Sequence, residues 1–156
     1  MHAALSIVET STSDAHPAAG RRQPVGLAED LPPRERALLN RLRMAGLACR
    51  AAARADVFAT CADLALDRKA GAAAALGALL RCLPAALDCR PVLYRPGATR
   101  MSRDEAWLMR AMICAAGGDE DSLRFLLRSR VLPQHVRELG FMIRRVTEGE
   151  AAGIAA

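Results

Sequence analysis

Aromatic side chains are scarce in this chain of 156 residues: they make up 3% of it, as Trp107, Tyr94 and three phenylalanines. The β-branched and aromatic residues that strands favour are thin throughout, whereas Ala and Leu, which favour helices, recur along the chain. The sequence therefore offers little material for an all-β protein. Its length suits one domain and suffices for a hydrophobic core without disulfides or metals. We predict a single all-α domain.

Long apolar runs and patterned cysteines are also missing. Residues 70–80 are apolar but too few to span a membrane, and the first ten residues lack the basic start of an export signal. The five cysteines are odd in number and show no C-x-x-C spacing, which disfavours a disulfide framework. We therefore expect a cytoplasmic protein with free thiols and no membrane association.

Recognisable catalytic motifs are absent from the sequence. There is no Gly-rich phosphate loop and no nucleophile elbow. His2 and His16 lie in the first 30 residues, so His135 is the one histidine left for the folded part. His135 and Glu138 stand three residues apart, but two ligands do not make a metal site. We predict no catalytic residues, no cofactor and no metal, and hence a protein that is not an enzyme.

Hydrophobic periodicity divides the chain into three parts. Residues 1–30 mix Ser, Thr, Pro, Gly and acids without a sustained period, which predicts a disordered arm. Residues 31–147 alternate helical patterns with breaks, which predicts a compact bundle of about five helices with one irregular loop containing proline. The many alanines and Gly77 of the helix expected near residues 72–83 predict a close approach by a neighbour. Residues 148–156 are expected to form a flexible tail.

The central helix is predicted over residues 103–116, which are apolar nearly all the way round. Such a helix has to be enclosed by other elements. Ser102 and Glu105 fit the capping box that starts a helix, and Gly117-Gly118 supplies a left-handed stop. The side chains expected to point into the core are those of Trp107, Leu108, Met112 and Ala115.

Arginine dominates the polar surface, since every basic residue except Lys69 is Arg and the formal net charge is +5. A proline-containing loop at residues 88–101 carries several of these arginines, and Phe141 lies among others on the last predicted helix. Arg-ringed aromatics are typical of protein interfaces. We therefore hypothesise a regulatory or adaptor protein of the bacterial cytosol that binds a protein partner with an acidic surface. Its predicted contacts are Arg90, Tyr94, Arg95, Arg100, Arg103, Arg137, Phe141 and Arg144.

Two other functions remain open from the sequence. Arginines at helical spacing in two segments could follow a phosphate backbone, which predicts DNA or RNA binding. The helix pair around Gly117-Gly118 resembles a helix-turn-helix in outline, although its second helix has no Asn or Gln placed to read bases. The residues assigned to nucleic acid are Arg36, Arg43, Arg50, Arg54, Arg124 and Arg128. A small-ligand or metal sensor using Cys82, Cys89 and His135 is the third hypothesis.

Overall fold

The structure, a computed structural model, describes residues 24–154, with side chains described through residue 148. Six α-helices and two short strands make up this part of the chain. In chain order they are β1 (Pro24–Leu27), α1 (Pro33–Ala48), α2 (Val57–Leu66), α3 (Ala72–Ala86), β2 (Arg100–Ser102), α4 (Arg103–Ala116), α5 (Glu120–Arg128) and α6 (Val136–Ile154). Single turns of 3₁₀ helix lie at Ala28–Asp30, Cys49–Ala51 and Pro133–His135. The mostly helical fold is therefore confirmed, with six helices in the described range instead of about five.

Regular secondary structure extends beyond the predicted limits of the folded part at both ends. Residues 24–30, assigned to a disordered arm, form β1 and a 3₁₀ turn, while residues 1–23 lie outside the described residues. The last helix extends to Ile154, beyond the predicted end near Val146. The two glycines in the last nine residues led to the prediction of a tail, but α6 passes through both Gly149 and Gly153.

A two-stranded antiparallel sheet joins the beginning of the described chain to its middle. Pro24 pairs with Ser102 and Leu27 with Arg100, with an irregular step between Pro24 and Gly26. The Ala28 N–H also donates to the Thr99 carbonyl at 2.7 Å. The sequence did not indicate this sheet, because strands of four and three residues are too short to show an alternating pattern.

Helix α4, predicted to be the central helix, begins and ends where the sequence predicts, but α6 and not α4 makes the most extensive contacts with other helices. The Ser102 hydroxyl accepts a hydrogen bond from the Glu105 N–H at 3.0 Å, and the Glu105 carboxylate accepts one from the Ser102 N–H at 2.8 Å. At the other end Gly118 adopts φ +72°, a conformation that favours glycine. Local side-chain chemistry therefore sets both bounds of the helix.

The hydrophobic core is organised around α6, which packs against α3 and α4, with α1, α2 and α5 completing the enclosure. Of the predicted inward side chains, Trp107, Leu108 and Met112 are buried and Ala115 is half-buried. Each large apolar side chain removed from water contributes roughly 1.5–3 kcal/mol. The larger ones that are fully enclosed are Leu39, Leu42, Leu79, Leu83, Leu108, Met112, Leu123, Leu139, Met142 and Ile143. Within residues 24–154, each helix is too short or too polar to cross a lipid bilayer.

Ala75, Ala78 and Ala86 of α3 are buried, but Gly77 does not share in the close packing that the sequence predicted for this helix. A Cβ atom added at Gly77 would meet no heavy atom within 4 Å, so the space on that side of the glycine is open. At Gly140 in α6, by contrast, an added Cβ would lie 3.3 Å from the Leu127 Cδ1 atom. Between these two helices, α5 and α6, a side chain at position 140 would therefore be crowded.

Gly77→Ala is expected to raise the free energy of unfolding by roughly 0.5–1 kcal/mol. Alanine loses less backbone entropy than glycine when the helix forms, and its methyl group would clash with no other atom. Urea denaturation measures the change. Gly140→Ala is the matched control, where crowding against Leu127 should cancel most of that gain. Equal stabilisation by both substitutions would contradict this account of the α5–α6 contact.

Candidate functional site

A buried ion pair connects α1 to the start of α4. Arg43 is only 1% exposed, and its Nε donates to the Glu105 Oε1 atom at 2.9 Å. Its Nη2 donates to Glu105 Oε2 at 3.1 Å and to the Arg100 carbonyl at 2.6 Å. Its Nη1 donates to the Ala98 carbonyl at 2.7 Å. One guanidinium group thus binds a carboxylate and two backbone carbonyls of the loop that precedes α4.

The carboxylates of Glu105 and Asp104 hold the same loop from its other side. Glu105 Oε1 accepts the Tyr94 N–H at 2.8 Å, and Asp104 Oδ2 accepts the Val92 N–H at 2.6 Å. The Ser102 hydroxyl donates to the Val92 carbonyl at 2.5 Å. Residues 92–102 therefore have a fixed path across the helices, although they form almost no regular secondary structure.

The placement of Arg43 corrects the sequence analysis, which grouped it with Arg36, Arg50 and Arg54 as a stripe of arginines at helical spacing that could bind nucleic acid. A charged side chain can be buried in this way only when its charge is paired and its N–H groups are bonded. Helical periodicity cannot reveal the partners, because Glu105 lies 62 residues away. The stripe is also interrupted after Arg43. Helix α1 ends at Ala48, and Arg50 and Arg54 follow outside the α-helix.

Glycine allows the loop to pack directly on α1. A Cβ atom at Gly46 would lie 2.8 Å from Leu93 Cδ1, closer than such atoms normally approach. The helix does not end at Gly46 but continues to Ala48. The loop and the end of α1 therefore lie against each other and form two adjoining walls of one groove.

A groove lies between these walls and α3. Its volume is about 680 Å³, within the range of ligand-binding clefts. The Ala55 N–H donates to the Arg81 carbonyl at 3.2 Å, which joins the segment after α1 to α3. The lining consists of Gly46, Cys49, Arg50, Ala52, Ala53, Arg54, Leu80, Arg81, Pro84, Arg90, Pro91, Val92, Leu93 and Tyr94.

The groove is strongly basic. Arg50, Arg54, Arg81 and Arg90 all line it and all are exposed. Among the described residues that line the groove, none is Asp or Glu. Like charges gathered without counter-charges repel one another, so this arrangement favours an anionic ligand.

The predicted partner-binding residues divide between two depressions. Arg90 and Tyr94 line the basic groove, whereas Arg137, Phe141 and Arg144 line a second cavity of about 320 Å³ with Cys61, Ala65 and Glu138. The two cavities share no lining residue. Arg95, Arg100 and Arg103 are exposed but line neither cavity. In the second cavity, Phe141 packs partly against the core and Arg144 is bonded to Glu120 at 3.0 Å, so this surface is less open to a partner.

The residues assigned to nucleic acid are also dispersed. Arg50 and Arg54 belong to the groove, and Arg36 donates to the carbonyls of Glu29 and Leu31. Arg124 and Arg128 lie on α5, and neither lines the groove. The sequence analysis missed Arg81, which lines the groove beside Arg54. Its signal in the sequence was weak: a single charge within the apolar α3 segment.

The cysteines proposed for a sensor lie in poorly accessible places. Cys82 is buried, and burial raises the pKa of its thiol; Cys89 and His135 are half-buried. Burial and the Glu138 carboxylate likewise raise the pKa of the Cys61 thiol in the second cavity. Among the described residues, no group of three or more His, Cys, Asp or Glu is arranged to hold a metal ion.

Comparison of the chain with protein-family models, curated proteins and solved structures gave no match. A functional proposal therefore has to come from the chemistry of the groove itself. That chemistry is a concave surface with four guanidinium groups, apolar side chains and the Tyr94 ring.

Arg43→Met is expected to lower the free energy of unfolding by about 3–5 kcal/mol, because it leaves the Glu105 carboxylate buried without its counter-charge. Urea denaturation followed by circular dichroism measures the loss. Arg68→Met, at an exposed arginine beyond α2, is the control and should change stability by less than about 0.5 kcal/mol.

The double variant Arg43→Met/Glu105→Leu separates the charge pair from its backbone contacts. Removing both charges relieves the unpaired carboxylate, but four backbone groups of the loop lose their partners, at roughly 1–3 kcal/mol for each that stays unsatisfied. We expect the double variant to remain at least about 2 kcal/mol less stable than the original protein. Full recovery would show that the loop does not depend on this network.

Cys82 is expected to resist alkylation by iodoacetamide in the folded protein, because its thiol is buried and its raised pKa lowers the thiolate fraction at neutral pH. Cys49, half-buried at the groove, should react sooner. Mass spectrometry of peptides from timed samples gives both rates, and urea-unfolded protein is the control in which they converge. Equal rates in the folded protein would contradict the burial of Cys82.

Proposed function

We propose that this protein is a non-enzymatic regulatory or adaptor protein that binds an acidic segment of a protein partner in the basic groove. The observation that carries the proposal is the gathering of Arg50, Arg54, Arg81 and Arg90 around one concave surface whose known lining contains no carboxylate. These arginines come from three different parts of the chain. Their convergence is a property of the folded protein.

Guanidinium groups suit an acidic peptide for geometric reasons. Each presents a planar fork of N–H donors that matches a carboxylate in a bidentate pair, and such charge-assisted bonds are stronger than neutral ones. Leu80, Leu93 and Tyr94 line the same groove. Aromatic and aliphatic contacts of this kind anchor a bound segment while the arginines select its charge. The expected ligand therefore combines acidic with apolar residues.

The groove is already formed without a ligand. Its loop wall is held by the hydrogen bonds of Arg43, Asp104 and Glu105. A preorganised site does not spend binding energy on ordering its own backbone. We therefore expect the path of residues 92–102 to be the same in the free and the bound protein.

A protein segment fits the groove better than a nucleic acid does. Proteins that follow a duplex place basic groups along an extended surface, whereas the predicted arginine stripe is interrupted by the burial of Arg43 and the end of α1. The groove is concave and partly apolar, which suits a short extended peptide. Nucleic-acid binding remains a possible outcome of the experiment that follows.

Charge reversal in the groove tests the proposal. Arg54→Glu and Arg90→Glu are each expected to weaken binding of a fluorescent peptide of alternating Glu and Leu residues by about tenfold or more, the loss of one charge-assisted bond. Fluorescence anisotropy gives the Kd values. Arg68→Glu changes the net charge equally at an exposed position that lines neither cavity, and should leave the Kd within about twofold once salt screens long-range attraction.

Three results would contradict the proposal. One is no measurable binding of the peptide by the original protein. Another is an equal loss of affinity in Arg54→Glu, Arg90→Glu and the Arg68→Glu control, which would mean unspecific attraction. The third is displacement of the peptide by a single-stranded oligonucleotide that binds far more tightly, with affinity falling steeply with salt; this would favour the nucleic-acid alternative.

A further inference from the structure

Helix α5 carries an aromatic side chain on its solvent face. Leu123 and Leu127 are buried, which places the opposite side of the helix in water. Phe125 is 73% exposed on that side and has charged neighbours on the same helix. Single exposed apolar side chains are common on protein surfaces, so the charged residues around Phe125 decide whether this face is an interaction surface.

The charges beside Phe125 are ordered along the helix. Asp121, 98% exposed, lies in the first turn, Arg124 lies beside Phe125 at the middle, and Arg128 lies at the end. With Phe125, these residues stand at spacings of three, four and seven along the chain, so they share one face of the helix. The face is thus negative at its beginning, positive at its end and aromatic between.

Such a face is complementary to itself when two copies meet antiparallel. With a two-fold axis between positions 124 and 125, Asp121 faces Arg128 of the partner subunit, and the reciprocal pair forms by symmetry. In the same register, Arg124 lies against the ring of Phe125 of the partner subunit, which favours a cation–π contact. We propose that α5 is a self-association surface whose occupant is a second copy of this chain. The proposal does not depend on the function of the basic groove.

The size of the surface determines the strength of the contact. A helix of nine residues is about 13 Å long, and a pair of such faces buries less area than a standard stable interface. The association is therefore weak, reversible and dependent on concentration. It should also weaken with salt, because its charge pairs are exposed.

Other occupants fit this face less well. A phosphate backbone would meet Arg124 and Arg128, but it would be repelled by Asp121 and by the neighbouring exposed acids Asp119 and Glu120. The exposed apolar residues of α2, Phe58 and Leu66, have no comparable reciprocal order of charges on their helix. The self-complementary order of α5 therefore singles out a second copy.

Two charge reversals test the register directly. Asp121→Arg places two arginines opposite each other in a homodimer, and Arg128→Glu places two acids opposite each other. In sedimentation equilibrium at low salt, each variant alone should associate at least about tenfold more weakly than the original protein. An equimolar mixture should recover association, because both opposing pairs then join an acid to an arginine. Arg68→Glu serves as the control for net charge.

Loss of helix cannot imitate this pattern. Both substitutions oppose the α5 dipole, so circular dichroism has to show that each variant is folded, but unfolding would not be reversed by mixing. If either charge variant unfolds, Phe125→Ser decides instead, since it alters no charge and should also weaken self-association. A monomeric original protein at every concentration would overturn the proposal. So would folded variants that remain unassociated when mixed, or unchanged association in Phe125→Ser.

Discussion

The bidentate pair between Arg43 and Glu105 is the contact on which the middle of the molecule depends. It joins α1 to the first turn of α4, and both partners are fully enclosed. Removing two charges from water costs several kcal/mol each, so the pair holds only because its remaining donors and acceptors are bonded. Those bonds go to the backbone of the loop before α4. The loop, the strand β2 and the start of α4 are therefore organised by one electrostatic centre.

The same fold separates arginines into two physical classes. Arg43 is buried and paired, and Arg130 lies over the Trp107 ring while bonded to Asp104; these two belong to the architecture. Arg50, Arg54, Arg81 and Arg90 are exposed around the groove with no acid among its known lining residues. Their mutual repulsion works against stability. Under the proposed function, a bound anionic segment would offset this repulsion.

The groove and the α5 face are made from different residues and can act together. Under the two proposals together, a dimer formed through α5 would present two grooves to a partner with two acidic segments, with an effective concentration set by the spacing between the grooves. Weak self-association would then strengthen selection of such partners without any new contact inside the groove. Asp119 caps the beginning of α5. Hydrogen bonds from the Ser122 side chain and N–H lower the pKa of the Asp119 carboxyl. The cap's contribution to stability is accordingly present above the ordinary carboxyl pKa and is lost as pH falls through the lowered value.

The sequence by itself determined the helical class and the limits of α4, because those depend on residues close together in the chain. Ser102, Glu105 and Gly118 act within one helical turn of the ends that they define. The placement of Arg43 could not be derived in this way: its helical spacing is the same whether it faces water or a carboxylate 62 residues away. The β1–β2 pairing and the meeting of Arg81 with Arg54 and Arg90 are also products of tertiary packing. Local sequence patterns thus specified the helices, whereas contacts between residues distant in the sequence decided which charged side chains are buried and which remain exposed.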